Sequence, residues 1–109
     1  IKVAADVSTE QGQADFAADA IKVKNSNADA VFVYLNEEES ARFLTAAKQQ
    51  GIAKPMVGET TLLGAKVISL AGAAANGVKG HVGLSIDAPI PAFQEFGKKF
   101  QAKYNYASD

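Results

Sequence analysis

Short apolar runs alternate along this chain with longer stretches of helical period. Ile1 to Val7 reads as a strand that ends in the polar loop Ser8-Thr9-Glu10-Gln11-Gly12-Gln13. Asp15 is placed to cap a helix whose stripe is Phe16, Ala20 and Val23, with Ala17 and Ile21 beside it. Asn25-Ser26-Asn27 breaks that helix. The continuous apolar run Ala30 to Leu35 then predicts a strand buried on both faces.

The next helix is the best specified element. Asn36 stands at its N-cap, and Glu39 three residues on is a variant of the capping-box pattern. Glu37, Glu38 and Glu39 crowd the positive end of the helix dipole, and Lys48 lies near the negative end. Ala41, Leu44 and Ala47, flanked by Phe43, form the apolar stripe; Gly51 fits the C′ position and Pro55 blocks continuation. Met56-Val57 reads as a short strand, and a helix from Gly64 to Ala71 stops at Gly72. Asn76-Gly77 is a turn before a fourth strand, Val78 to Leu84. After the Asp87-Ala88-Pro89-Ile90-Pro91 break, Phe93, Phe96 and Phe100 recur at helical spacing, which predicts the core stripe of a terminal helix.

Strands alternating with helices predict an α/β fold: a mostly parallel sheet with helices on its faces. Two polar loops, Asn36-Glu37-Glu38-Glu39 and Gly58-Glu59-Thr60-Thr61, directly follow apolar runs. In such a sheet both lie at carboxyl ends of strands, the edge where α/β sheets bind ligands. That placement marks Asn36, Glu37, Glu59 and Thr60 as ligand-facing candidates. Glu38 and Glu39 are accounted for by the helix dipole. Glu59 follows a glycine at a strand end and is less well explained that way, whereas Thr60 and Thr61 suit either a helix cap or a ligand.

With 109 residues, 48% apolar and 21% charged, the chain has the composition of one globular domain. A formal charge of −1 gives no electrostatic case for binding nucleic acid or an anionic membrane. No apolar run approaches the roughly 18–20 residues that span a bilayer. The chain opens directly on a strand-like segment with no leader before it, so it reads as an excised piece. The absence of cysteine removes disulfides and thiolate catalysis and fits either redox compartment. No dinucleotide fingerprint, phosphate-binding loop or nucleophile elbow occurs, and the single histidine, His81, reads as a sheet residue. The residues predict no enzyme and no cofactor. A small α/β enzyme or a phosphoreceiver shares the alternation, but Asp6 stands alone and Lys79 opens its strand instead of ending it.

Taken in order, the chain resembles one lobe of the type I periplasmic solute-binding proteins. It is most similar to the branched-chain amino-acid (Leu/Ile/Val) binding family of ABC importers. The resemblance is carried by Ala14-Asp15-Phe16, Asp29-Ala30-Val31-Phe32-Val33-Tyr34, Ala46-Ala47-Lys48-Gln49-Gln50-Gly51-Ile52 and Met56-Val57-Gly58-Glu59. Leu70-Ala71-Gly72, Ala74-Ala75-Asn76-Gly77-Val78 and Pro91-Ala92-Phe93 with Phe100 and Tyr104 continue it. It implies a three-layer Rossmann-like lobe, here truncated to residues 1–109, of a two-lobed protein that closes on a small ligand without chemistry.

By the resemblance, this lobe gives an acid to the ligand ammonium, mapping onto Glu59 or, with a one-residue slip, Thr60. A family tyrosine maps near Asn36 or Glu37, neither of which is aromatic, so an amide, a polar amino acid or another small organic acid also fits. The implied partners are that ligand and, through the full-length protein, a membrane permease. The implied location is the periplasm, or the outer cell surface by a lipid anchor. A ligand-sensing lobe of a regulator or receptor has the same architecture. The resemblance also implies a missing inner strand, so Ile1–Val7 is expected either to pair with Ala30–Leu35 or to leave the gap to a second copy in a homodimer.

Overall fold

The computed structural model describes residues 1–108. The elements are α1 (Ala17–Asn25), β1 (Val31–Val33), α2 (Glu37–Gln49), β2 (Met56–Gly58), α3 (Ala65–Ala71), β3 (Lys79–Gly80) and α4 (Pro91–Tyr104). Single 3₁₀ turns, Thr60–Leu63 and Gly72–Ala75, flank α3. The strands form one parallel sheet in the order β1-β2-β3, with Val31 opposite Met56, Val33 opposite Gly58 and Gly58 opposite Gly80. This is the expected α/β architecture, in which helices supply the crossovers that parallel strands require.

α2 organises the core. Its apolar stripe supplies Ala41, Leu44 and Ala47, all at most 3% exposed, against Val33 and Met56 of the sheet, Val67 of α3 and Phe16 ahead of α1. Phe16 meets Phe43 edge-to-face, with ring centroids 6.3 Å apart. The helix ends as its sequence demands: Gly51 adopts φ +70, its amide donates to the Lys48 carbonyl, and the Ile52 amide donates to that of Ala47. That is a Schellman ending, and the left-handed residue in it is the one for which glycine is cheap. At the other end Asn36 occupies the N-cap but makes no side-chain cap bond. Glu39 turns away from the expected capping box toward Gly12. The N-cap of α1 is Phe16 and not Asp15, which stands one position earlier, its Oδ1 accepting from the Ala17 amide at 2.9 Å.

Four expectations need correction. Ile1–Val7 forms no strand; Ile1 and Val3 are fully or largely exposed, and the outer edge of β1 has no partner strand among the described residues. The run Ala30–Leu35 is not buried on both faces: Val33 is buried, but Phe32 and Tyr34 are 69% and 73% exposed and stack on each other. Val57, opposite Phe32, shares that uncovered face. Val78–Leu84 contributes only the two residues of β3. Lastly, the Phe93/Phe96/Phe100 stripe is not core, since α4 buries no residue fully and its aromatics collect on Tyr104 and Tyr106. With α4 standing away from the sheet, the radius of gyration is 15.9 Å, against about 13 Å for a compact chain of this size.

The candidate ligand rim

The two strand tips meet at one end of the sheet. β1 runs out into Tyr34-Leu35-Asn36, and β2 runs through Gly58 into Glu59. A pocket of about 300 Å³ opens there, lined by Thr9, Glu10, Gln11, Tyr34, Leu35, Asn36, Glu39, Glu59 and Thr61. Asn36 and Glu59, singled out by their place after apolar runs, are thus brought together. Glu37 and Thr60 are not in the lining. Glu37 reaches toward Gly64, while the Thr60 hydroxyl donates to the His81 carbonyl at 3.1 Å and ties the rim to the end of β3.

Glu59 has structural duties as well. It caps the 3₁₀ turn Thr60–Leu63, its Oε1 accepting from the Thr61 amide at 2.9 Å. Hydrogen bonds from the Thr61 side chain and backbone hold its carboxyl below the ordinary value, so it is ionised at neutral pH. A carboxylate offers about four acceptor sites, so the cap does not exhaust it.

Three features of the pocket have no counterpart among the sequence expectations. Tyr34 places a phenol on the rim, and the one available signal was its alternation with Phe32 along the strand. The loop around residues 9–13 forms the opposite wall and is clamped by the helices behind it. Glu39, 7% exposed, accepts from the Gly12 amide at 2.7 Å. Arg42 donates to the Gln13 carbonyl at 2.9 Å, and the Gln13 amide nitrogen donates to the Asp19 carboxylate. Nothing local in the sequence marks Glu39 as the latch, because the contact spans 27 positions.

The Gly12 amide lowers the Glu39 carboxyl from its ordinary value, ahead of every other cause. A carboxylate depressed in the folded state stabilises fully above its unfolded value, about 4.3. That contribution disappears as pH falls through the lower folded value. Glu39→Gln is therefore expected to lower the melting temperature near neutral pH, with the gap to the parent closing on acidification. An offset that stays constant through the acid limb would show that the carboxylate charge is not what holds Gly12.

A larger groove, about 550 Å³, lies on the helical side among Phe16, Glu38, Ala41, Arg42, Lys66 and Leu70. Its charges are spent on one another: Glu38 lies 2.8 Å from Lys66 and 3.6 Å from Arg42. Exposed pairs of this kind contribute little stability, and they engage both cations of the groove, Arg42 and Lys66. The rim pocket instead combines carboxylates, an amide, a phenol and hydroxyls at the strand tips. Among the described residues no cluster of His, Asp or Glu is arranged to hold a metal ion, and no helix is long and apolar enough to cross a membrane.

A parallel sheet with a polar pocket at its carboxyl edge defines a ligand-binding α/β class. The chain belongs to the periplasmic binding protein family, whose model matches residues 1–108. Among solved structures it is similar to the leucine binding protein LivK of Thermotoga maritima, with a TM-score of 0.80 and 22% identity over 93% of this chain and 29% of that one. A Rhodospirillum rubrum protein assigned to branched-chain amino acid ABC transport aligns with a TM-score of 0.75 and 26% identity, over 90% of this chain and 28% of that one. A type 1 periplasmic binding protein of Bordetella pertussis gives 0.80 and 23%, over 93% and 28%. The chain thus spans less than a third of the length of these proteins. No curated protein sequence matches it.

Proposed function

We propose that this chain is one lobe of a solute-binding protein that serves an ABC importer, in the periplasm or lipid-anchored on the outer cell surface. Its rim would meet a small amino acid, or a related organic molecule, held between two lobes. The observation that carries the reading is the convergence of Asn36 and Glu59, from two separate strand tips, on one polar pocket. In this proposal the Glu59 carboxylate accepts from the ligand ammonium, a charge-assisted bond, and the Asn36 amide and Tyr34 phenol set its orientation. Glu37 and Thr60 shape the rim from behind, through Gly64 and His81 respectively. The leucine-binding and branched-chain transport neighbours support the amino-acid class. The permease contact belongs to the full-length protein, and a second copy on the open edge of β1 belongs to the same proposal.

The reading involves binding without turnover and is tested at Glu59. In an intact two-lobed protein carrying this lobe, Glu59→Gln is expected to weaken L-leucine by about 1.5–3 kcal/mol, the range for hydrogen bonds to charged groups. Isothermal titration reads the affinity, and a parallel melt separates loss of the 3₁₀ cap from loss of the ligand contact. Unchanged affinity for amino-bearing ligands would remove Glu59 from the site.

A further inference from the structure

The chain has five asparagines, at positions 25, 27, 36, 76 and 105. Intramolecular attack on an asparagine amide needs the next backbone nitrogen to be free, unshielded and able to approach the side-chain carbon. Four of the five sites fail on one of these counts. After Asn25, the Ser26 amide is bonded to the carbonyls of Lys22 and Val23. After Asn27, the Ala28 amide is held by the Ser26 hydroxyl at 3.3 Å. Glu37 and Tyr106, which follow the remaining two, carry full side chains at the approach.

Asn76 differs on every count. It is exposed, it lies just outside the 3₁₀ turn Gly72–Ala75, and its successor is Gly77 at φ +80. Nothing lies within 4 Å of where a Gly77 Cβ would stand, and the Gly77 amide donates to no acceptor among the described residues. The hydrogen bonds on either side, Asn76 to Ala73 and Val78 to Ala75, are both long at 3.3 Å. Little resists the rotation about the Asn76 backbone and side chain that ring closure requires.

We infer that Asn76 is a site of spontaneous covalent modification, and that the fold exposes it at the junction feeding β3. The Gly77 nitrogen, losing its proton to solvent hydroxide, bonds to the Asn76 side-chain carbonyl carbon, and the amide nitrogen leaves as ammonia. Water then opens the succinimide at either carbonyl, giving aspartate or isoaspartate, with no oxidant or cofactor involved. Isoaspartate routes the main chain through Cβ and so inserts one extra backbone carbon three residues before Lys79. The ladder it reaches is short: β3 pairs only through Lys79 and Gly80, followed by the His81 amide donating to Gly58. His81 is also the acceptor for Thr60. Modification at Asn76 thus loosens β3 and, through His81, one support of the rim.

The test is incubation of the folded chain in mildly alkaline buffer, followed by peptide mass spectrometry and isoaspartate-specific methylation. Deamidated product is expected at Asn76 before any other asparagine, and Asn76→Gln is expected to abolish that early product. Repeating the incubation in urea should accelerate Asn25, which the helix protects, while leaving Asn76 nearly unchanged. Hydrogen exchange on aged protein is expected to show lost protection at His81, whose amide closes the ladder on Gly58. Deamidation at Asn76 that is no earlier than at the other four, or that speeds up strongly on unfolding, would overturn the inference. Unchanged protection in aged protein would overturn the coupling to β3.

Discussion

Phe16→Ala is expected to remove most of the chain's stability at room temperature. The side chain is 2% exposed, sits immediately before α1 and packs edge-to-face on Phe43 of α2. Truncating a buried phenylalanine costs about 3–5 kcal/mol, from lost transfer energy and the cavity left behind. A whole domain is stable by only about 5–15 kcal/mol. This chain belongs low in that range, because one face of its sheet and the whole of α4 bury little. Phe96→Ala supplies the contrast: Phe96 is 57% exposed, so its loss should stay within about 0.5 kcal/mol. Urea melts of the two variants decide the matter. A small effect at Phe16 with a large one at Phe96 would reverse the assignment of the core.

That pair of substitutions also marks where periodicity stops being informative. Spacing identifies α4 as a helix and locates its aromatic stripe, and both are observed. It carries no information on what the stripe packs against, and in these 108 residues Phe100 meets the neighbouring aromatics Phe96, Tyr104 and Tyr106, with no residue of α4 fully buried. The same holds for Ile1–Val7. Alternation expresses a capacity to be a strand, but a strand exists only when a neighbour accepts its hydrogen bonds, and no described neighbour does. The uncovered side of β1 has the same origin: Phe32 and Tyr34 read as buried because apolar runs usually are.

α2 was legible to within a residue because its signals are local and agree. An N-cap asparagine, acids in the first turn, an apolar stripe and a C′ glycine all lie within 16 positions, Asn36 to Gly51. The rim was half legible. Placement after an apolar run identifies Asn36 and Glu59 from sequence, since topology alone sends strand ends to one edge. The far wall of the pocket depends on Glu39, Arg42 and Asp19 reaching the loop at residues 12–13 across the fold. Contacts of that separation leave no trace in a single sequence.

Gly58→Ala is expected to damage stability and ligand binding together, because Gly58 stands where sheet, 3₁₀ turn and rim converge. A Cβ there would lie 2.7 Å from the Val33 carbonyl oxygen and 2.9 Å from Leu62 Cβ, and would overlap Leu62 Cδ2. Neither neighbour has room to yield. Val33 is the ladder partner of Gly58, and Leu62, 3% exposed, is packed in the core. Overpacking of this kind costs about 1–3 kcal/mol. Relief requires β2 to move from β1 or the turn Thr60–Leu63 to lift, and either displaces Glu59, the next residue. Gly64→Ala tests whether crowding by fixed atoms is the cause. Its Cβ would come 2.7 Å from Glu37 Oε1, the end of a flexible side chain that can swing away, and 3.2 Å from the Thr61 carbonyl oxygen, a milder approach to backbone than at Gly58, so the cost should be smaller. Urea midpoints should therefore fall much further for Gly58→Ala than for Gly64→Ala. On the proposed reading, the L-leucine affinity of a two-lobed protein carrying this lobe should drop with the first substitution. Equal midpoints would show that β1 and β2 separate easily at their tips and that Gly58 does not fix the position of Glu59.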